Sequence, residues 1–218
     1  MDLIAPGLHL TAPLDLGFGR VPLQARAALL VRPDHGNVLL YGAAAALPEL
    51  DAVRDVGGVA RQYLNHAHEA TAEAAQLRDA LGAPVHVHAA DADEVARTVS
   101  VDATFTDRHH DGDLEVVPVP GHTPGATAYV WDDDGRRVLF TGDTLFVRGG
   151  QWVAALLDGV SDRERYVESL HLLAALEPDL LVPGVAPVGE TGAYATDPAD
   201  ARRRIEEVAA RLEGGADQ

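Results

Sequence analysis

The sequence predicts an α/β protein with two sheets packed face to face and helices outside, and three observations carry that expectation. Short apolar runs bounded by turn residues alternate with stretches of helical spacing along the chain. The pattern is met twice, each β-rich half finishing in helices, which is the rhythm of a layered α/β fold. No linker composition separates the halves, so residues 1–218 are expected to form one domain.

In the first half, Ala25 to Val31 and Asn37 to Tyr41 read as strands of a hairpin turned by Pro33, Asp34, His35 and Gly36. Leu47, Leu50 and Val53 share helical spacing, and Gly57 and Gly58 can supply the positive φ that stops the helix. "VARQYLN" follows as a strand, "EATAEAAQLRDALG" as a helix and "APVHVH" as a strand. The second half opens on the strand "DLEVVPVP" and continues as two strands about an Asp134-Gly135 turn. A helix follows in which Ser161 is read as the cap, Glu164 as its capping-box partner, and Tyr166, Leu170 and Leu173 as the inward face. "DLLVPG" is a short buried strand, and Asp197 with Pro198 opens a final helix that two glycines close.

The composition, 47% hydrophobic and 23% charged, suits a folded protein. With 34 acidic against 17 basic residues the formal charge is −17, which repels phosphate backbones and anionic membranes and argues against nucleic acid or membrane partners. Every basic residue is arginine, an observation that adaptation to a salty cytoplasm and a GC-rich genome explain about equally. The absence of cysteine leaves only His, Asp and Glu to hold a metal. The start, "MDLIAPGLHL", has no basic segment followed by an apolar one, so a cytoplasmic location is expected.

Residues 64–71, "LNHAHEAT", join a predicted strand to a predicted helix, a usual address for sites in α/β proteins. On an extended backbone residues i and i+2 point the same way, so His66 and His68 can meet one ion. A third nitrogen can come from His122 in "VPGHTPG", and a carboxylate from Asp143 in "LFTGDTLF", each following a strand. Glu69 is expected to be solvated in the first turn of the next helix.

The three pieces, H-x-H, PGHTPG and FTGDTLF in this order, resemble the metallo-β-lactamase superfamily over almost the whole chain. That resemblance implies a four-layered αββα sandwich, with loops at one edge that hold one or two zinc or iron ions, most often for hydrolysis. It also exposes departures. The family's first motif in full is H-x-H-x-D-H, and here Ala70 and Thr71 take the last two places. A later family histidine is Val185 in "LVPGVAP". Of the usual ligands of a second metal only Asp143 remains, so the resemblance implies one ion at most, held by His66, His68 and His122, with Asp143 completing the coordination or orienting water.

The expected function is therefore a mononuclear hydrolase of a small ester, thioester or amide that uses zinc, or iron in its place. The alternative is a non-catalytic relative that binds a ligand or assembles through a degenerate, metal-free site. Iron oxygenase or redox chemistry is a third class that no residue supports specifically. Lactamase activity fits poorly because no signal sequence is expected and the second metal site is lost, and hydroxyacylglutathione hydrolase activity fits poorly because that site is lost and only one carboxyl-terminal helix is left for a substrate region. Oligomeric state is open, a homodimer included.

Other histidines have plainer readings. His86 and His88 alternate with Val85 and Val87 and are expected as hydrogen-bonded residues of one sheet face. His109 and His110 are expected in a solvated polar loop, and His9, His35 and His171 have no partner legible in the sequence. Trp152 is expected to pack under the Asp143 loop, with a pocket wall shared with Arg148 as the alternative.

Overall fold

A computed structural model describes residues 1–17, 22–133 and 135–216. They form two compact units, Met1–Thr106 and Asp107–Gln218.

The first unit contains strands β1 (Asp2–Ala5), β2 (Leu8–Leu10), β3 (Leu14–Asp15), β4 (Leu23–Ala25), β5 (Ala28–Leu30), β6 (Val38–Leu40), β7 (Arg61–Tyr63), β8 (Val85–His88) and β9 (Ala103–Phe105). Its helices are α1 (Ala43–Ala46), α2 (Leu50–Asp55), α3 (Ala72–Leu81) and α4 (Ala92–Val95). Seven strands make one sheet in the order β1, β2, β5, β6, β7, β8, β9. The first four pair antiparallel, including the predicted hairpin of β5 and β6. From β6 to β9 the strands run parallel, so each step needs a crossover, which the helices supply. The strand pair β1 and β2 adds an edge that short, mixed-polarity runs did not announce.

The core of this unit follows from strand alternation and helix spacing. Leu29 and Leu39 of the sheet pack with Ala74 and Leu77 of α3, all buried. Val85 and Val87 pack with Leu64, Val95 and Val99, which seats β7, β8 and α4 beside the loop that follows β7. Thr71 accepts from the Ala74 N–H at 3.4 Å and caps α3, and Gly82 ends the helix in the left-handed conformation.

The second unit contains β10 (His109–Asp111), β11 (Leu114–Pro118), β12 (Thr127–Asp133), β13 (Arg136–Gly142), β14 (Phe146–Arg148), β15 (Gln151–Val153), β16 (Leu180–Pro183), β17 (Val185–Pro187) and β18 (Tyr194–Ala195), with helices α5 (Arg163–Ala174) and α6 (Pro198–Glu213). Six strands form a sheet in the order β10, β11, β12, β13, β16, β18. β10 to β13 are antiparallel neighbours, and β13 pairs parallel with β16 across the α5 crossover. Asp134 of the expected turn lies outside the described residues; β12 and β13 on either side of it pair as expected. Tyr166, Leu170 and Leu173 face inward as their spacing predicts, against Leu139, Leu181, Ile205 and Val208. Trp152 belongs to this core and is 5% exposed, so it packs rather than lines a pocket with the exposed Arg148.

Two expectations are corrected. His109 and His110 are strand residues rather than loop, because β10 pairs in register with β11 and Glu115 opposes His110. Ser161 does not cap α5: the helix begins two residues later, and Asp162 is the cap, accepting from the Arg165 N–H at 3.1 Å. Without Ser161 as cap there is no capping box with Glu164. The Asp197 cap and Pro198 start of α6 stand as predicted. Among the described residues no helix is long and apolar enough to cross a membrane.

Candidate metal centre

In the first unit His66 and His68 lie just past the carboxyl end of β7, one of the parallel strands. His66 is extended, and the chain then curls into one 3-10 turn over Ala67–Glu69. The rings of His66 and His68 stand edge to face with centroids 5.2 Å apart. The extended chain expected between them is replaced by this turn, and it is the turn that brings the two rings together. His66 is 2% exposed, whereas His68 is open to solvent.

The buried ring is held by polar groups of its own loop. Asn65 Oδ1 lies 2.9 Å from His66 Nδ1. An amide oxygen only accepts, so Nδ1 is the donor and Nε2 carries the lone pair of the neutral ring, the form that ligates metals. Glu69 corrects the sequence reading. It is not a solvated helix residue: its Oε2 accepts from the Asn65 N–H at 2.7 Å, and Oε1 lies 3.7 Å from His66 Nδ1. The tight turn brings residues 66 and 69 to one side, which an extended chain would not do. Asp91 completes the clamp. It sits at the start of α4 without capping it, and its buried carboxylate accepts from the Ala67 N–H at 2.9 Å. Sequence reasoning missed Asp91 because its partner lies 24 residues away in the chain.

In the second unit His122 is 1% exposed and lies in the turn after β11. Its Nδ1 is 2.7 Å from the Ala155 carbonyl oxygen. A carbonyl also only accepts, so His122 has the same tautomer as His66, with the buried Nε2 as its ligand nitrogen. Helix α5 and the two residues before it hold this turn. Ser161 Oγ donates to the His122 carbonyl at 2.9 Å, Ser169 Oγ donates to the Pro120 carbonyl at 2.7 Å, and the Asp162 N–H donates to Gly121 O at 2.9 Å. Gly121 is required here: its φ is +144°, and a Cβ would sit 2.4 Å from Tyr166 Cα.

Asp143 lies in the turn after β13, as expected, and is half-buried. A Cβ on Gly184 would come 3.1 Å from Asp143 Oδ1, so the backbone after β16 passes close beside this carboxylate. Tyr166, fully buried, ties the Asp143 turn to the Ala155 segment: its hydroxyl donates to Thr144 O at 2.6 Å and accepts from the Ala155 N–H at 3.1 Å. The positions that depart from a two-metal pattern have structural occupations. Thr71 is spent on capping α3, Ala70 packs at the edge of the Leu64 and Val87 cluster, and Val185 opens β17.

Three further histidines make contacts of their own. His88 Nε2 lies 3.1 Å from Thr106 O, and its Nδ1 accepts from Ala90 N–H at 3.2 Å. His86 packs its ring on Tyr63, with centroids 4.9 Å apart. His171, without a partner in the sequence reading, meets Glu206 at 2.8 Å and so joins α5 to α6.

The Metallo-beta-lactamase superfamily model matches residues 42–185, well over half of the chain, so the protein belongs to that superfamily. Solved metallo-beta-lactamases share its fold. One from Cronobacter sakazakii, described by its HARLDQ motif, has a TM-score of 0.70 at 22% identity and covers 97% of this chain and 95% of its own. One from Pontibacter korlensis has a TM-score of 0.71 at 16% identity, covering 94% of this chain and 99% of its own. The α/β fold class expected from the sequence is therefore the one the chain has.

Among curated proteins, a hydroxyacylglutathione hydrolase of Cupriavidus metallidurans is 42% identical over 80 residues, 36% of this chain and 28% of that protein. One of Anaeromyxobacter dehalogenans is 38% identical over 95 residues, 42% of this chain and 36% of that protein. These matches span about a third of the length of the relatives, or less.

Proposed function

We propose that the protein is a mononuclear metal-dependent hydrolase of a small ester or thioester, with His66, His68 and His122 holding one zinc ion, or iron in its place, and residues 1–218 working as one functional domain. The observation that carries this reading is the acceptor held beside Nδ1 of each of the two buried histidines. Asn65 Oδ1 and the Ala155 carbonyl each accept from an Nδ1–H, an arrangement that suits ligation through Nε2 on both rings. Three imidazoles and a carboxylate suit a single zinc as a ligand set, whereas Ala70, Thr71 and Val185 offer no ligand for a second ion.

When bound, such an ion supplies Lewis acidity and a source of hydroxide near neutral pH. The chain's own residues do the rest. Asn65 and Glu69 orient His66, helix α5 fixes the His122 turn, and Asp143 offers a carboxylate to accept a proton from water or complete the ligand set. Glu69, held beside His66, is a second carboxylate close to the chemistry. Thioesters lead the substrate classes because curated relatives bear the name hydroxyacylglutathione hydrolase, although the amide class stays within the panel.

The test is a hydrolysis panel of thioester, ester, lactone, amide and phosphodiester with the zinc-loaded and iron-loaded protein beside His122→Ala. Turnover of a thioester or ester by the wild type, lost in the variant, is expected. No turnover across the panel overturns the reading.

A further inference from the structure

We propose that the Tyr166 hydroxyl is a positioning group for the metal-binding ring of His122, linking it through Ala155 to the Asp143 turn. The inference rests on the metal-site reading above. Tyr166 sits in the first turn of α5 and is fully buried, the end of its ring surrounded by backbone rather than by the apolar core that holds Leu170 and Leu173.

A phenol has one proton to give and lone pairs to accept with. Its proton goes to Thr144 O, the closest acceptor at 2.6 Å. The carbonyls of Asp143 and Ala155 are both farther, at 3.4 Å, and do not compete for it. The oxygen in turn accepts the Ala155 N–H at 3.1 Å. Ala155 is the residue whose carbonyl fixes the His122 tautomer at 2.7 Å. One hydroxyl thus anchors both the acceptor that sets a candidate ligand and the residue that follows Asp143.

The backbone of the same helix turn also carries the His122 loop. Tyr166 Cα leaves no room for a Cβ on Gly121, the residue before His122. Burial pushes the phenol pKa up, so the proton it donates stays in place through the working range of pH. A phenylalanine would fill the same volume while leaving the Ala155 N–H and the Thr144 carbonyl without their partner. The lesion would be felt as looseness in the 155 segment and hence in the orientation of the His122 ring.

The experiment compares the wild type, Tyr166→Phe, the rescue variant with 4-aminophenylalanine at 166, and Leu170→Ala as a core lesion on the same helix face. Two quantities are read: zinc affinity by competition with a chromophoric chelator, and the His122 tautomer of the metal-free protein by 15N NMR. Tyr166→Phe is expected to fold, to bind zinc about 10- to 100-fold more weakly, the range for lost outer partners of metal ligands, and to show His122 as a mixture of tautomers. The amino variant, which again donates and accepts, is expected to return both readings toward the wild type. Leu170→Ala is expected to lower the melting temperature with the tautomer unchanged. Unaltered affinity and tautomer in Tyr166→Phe overturn the proposal, as does the same tautomer mixing in Leu170→Ala, which would make the effect general loosening. If the wild type binds no zinc, the metal-site reading fails, and the tautomer measurement still decides what Tyr166 does.

Discussion

The first unit carries the H-x-H spacing twice, at His66 with His68 and at His86 with His88, and the two pairs have opposite chemical fates. His88 spends both ring nitrogens on backbone, Nε2 toward Thr106 O and Nδ1 toward the Ala90 N–H, so no lone pair is left for an ion. His66 donates from Nδ1 to Asn65 Oδ1, a side chain of its own loop, which holds the ring. The spacing is equal, yet the secondary structure differs. Residues 86 and 88 lie within β8, where Tyr63 packs on the first ring and backbone bonds the second, whereas 66 and 68 stand past the end of β7, at the start of and within a 3-10 turn. The two pairs therefore differ in the partners of their ring nitrogens, a property the spacing does not contain.

The sharpest way to break this comparison is to remove the partner. Asn65→Ala is expected to weaken zinc binding about 10- to 100-fold, read by chelator competition, because the His66 ring loses the acceptor that fixes its tautomer. Binding unchanged in that variant would make the two pairs equivalent and leave position alone to explain them. A smaller effect is expected at the end of the loop. Thr71→Ala removes the α3 cap and should cost about 1 kcal/mol, read as a lower denaturation midpoint with zinc stoichiometry unchanged. A change in stoichiometry would mean that Thr71 serves the ion rather than the helix.

The strand that carries the structural pair has its own pH dependence. Asp102 bonds Arg78 and the Val85 N–H at the start of β8, and the Arg78 hydrogen bond leads in lowering its pKa from 3.8 to about 2. A depressed carboxylate contributes stability that is complete above its unfolded pKa and is lost as pH falls through the folded one. Acid unfolding followed from pH 4 toward 2 should therefore be shallower in Asp102→Asn than in the wild type, by a modest amount since both partners are partly solvated. A wild-type slope in the variant would count against the pair. The smallest effect is expected at the second histidine pair itself: His88→Ala should leave metal content unchanged, and any loss of metal there would erase the distinction drawn from its two bonded nitrogens.

Much of the fold was legible because it rests on periodicity. The hairpin of β5 and β6, the alternation of β8 and the inward face of α5 follow from patterns that burial enforces. The candidate ligands were legible because each stands in a loop directly after a strand. What escaped depends on local backbone geometry or on distant partners. Glu69 turned inward because one 3-10 turn replaced an extended chain. Ser161 lost its cap role to Asp162 and found the His122 carbonyl, 39 residues away, instead. Asp91 reaches back 24 residues to the Ala67 amide, and His171 finds Glu206 only because α5 packs on α6. None of these pairings has a short-range signature. Thr71, by contrast, was recorded as a departure from a ligand pattern, and the structure gives it a positive role in starting a helix.

The central claim is that one ion is held by His66, His68 and His122. The most direct test is elemental analysis of protein purified without a metal-affinity tag, beside the double variants His66→Ala with His122→Ala and His86→Ala with His88→Ala. The account predicts close to one zinc or iron per chain in the wild type and in the His86 and His88 variant, and none in the His66 and His122 variant. Sub-stoichiometric metal in all three would contradict it, and would turn the loop of residues 64–71 from a metal centre into a relic on a fold kept for binding.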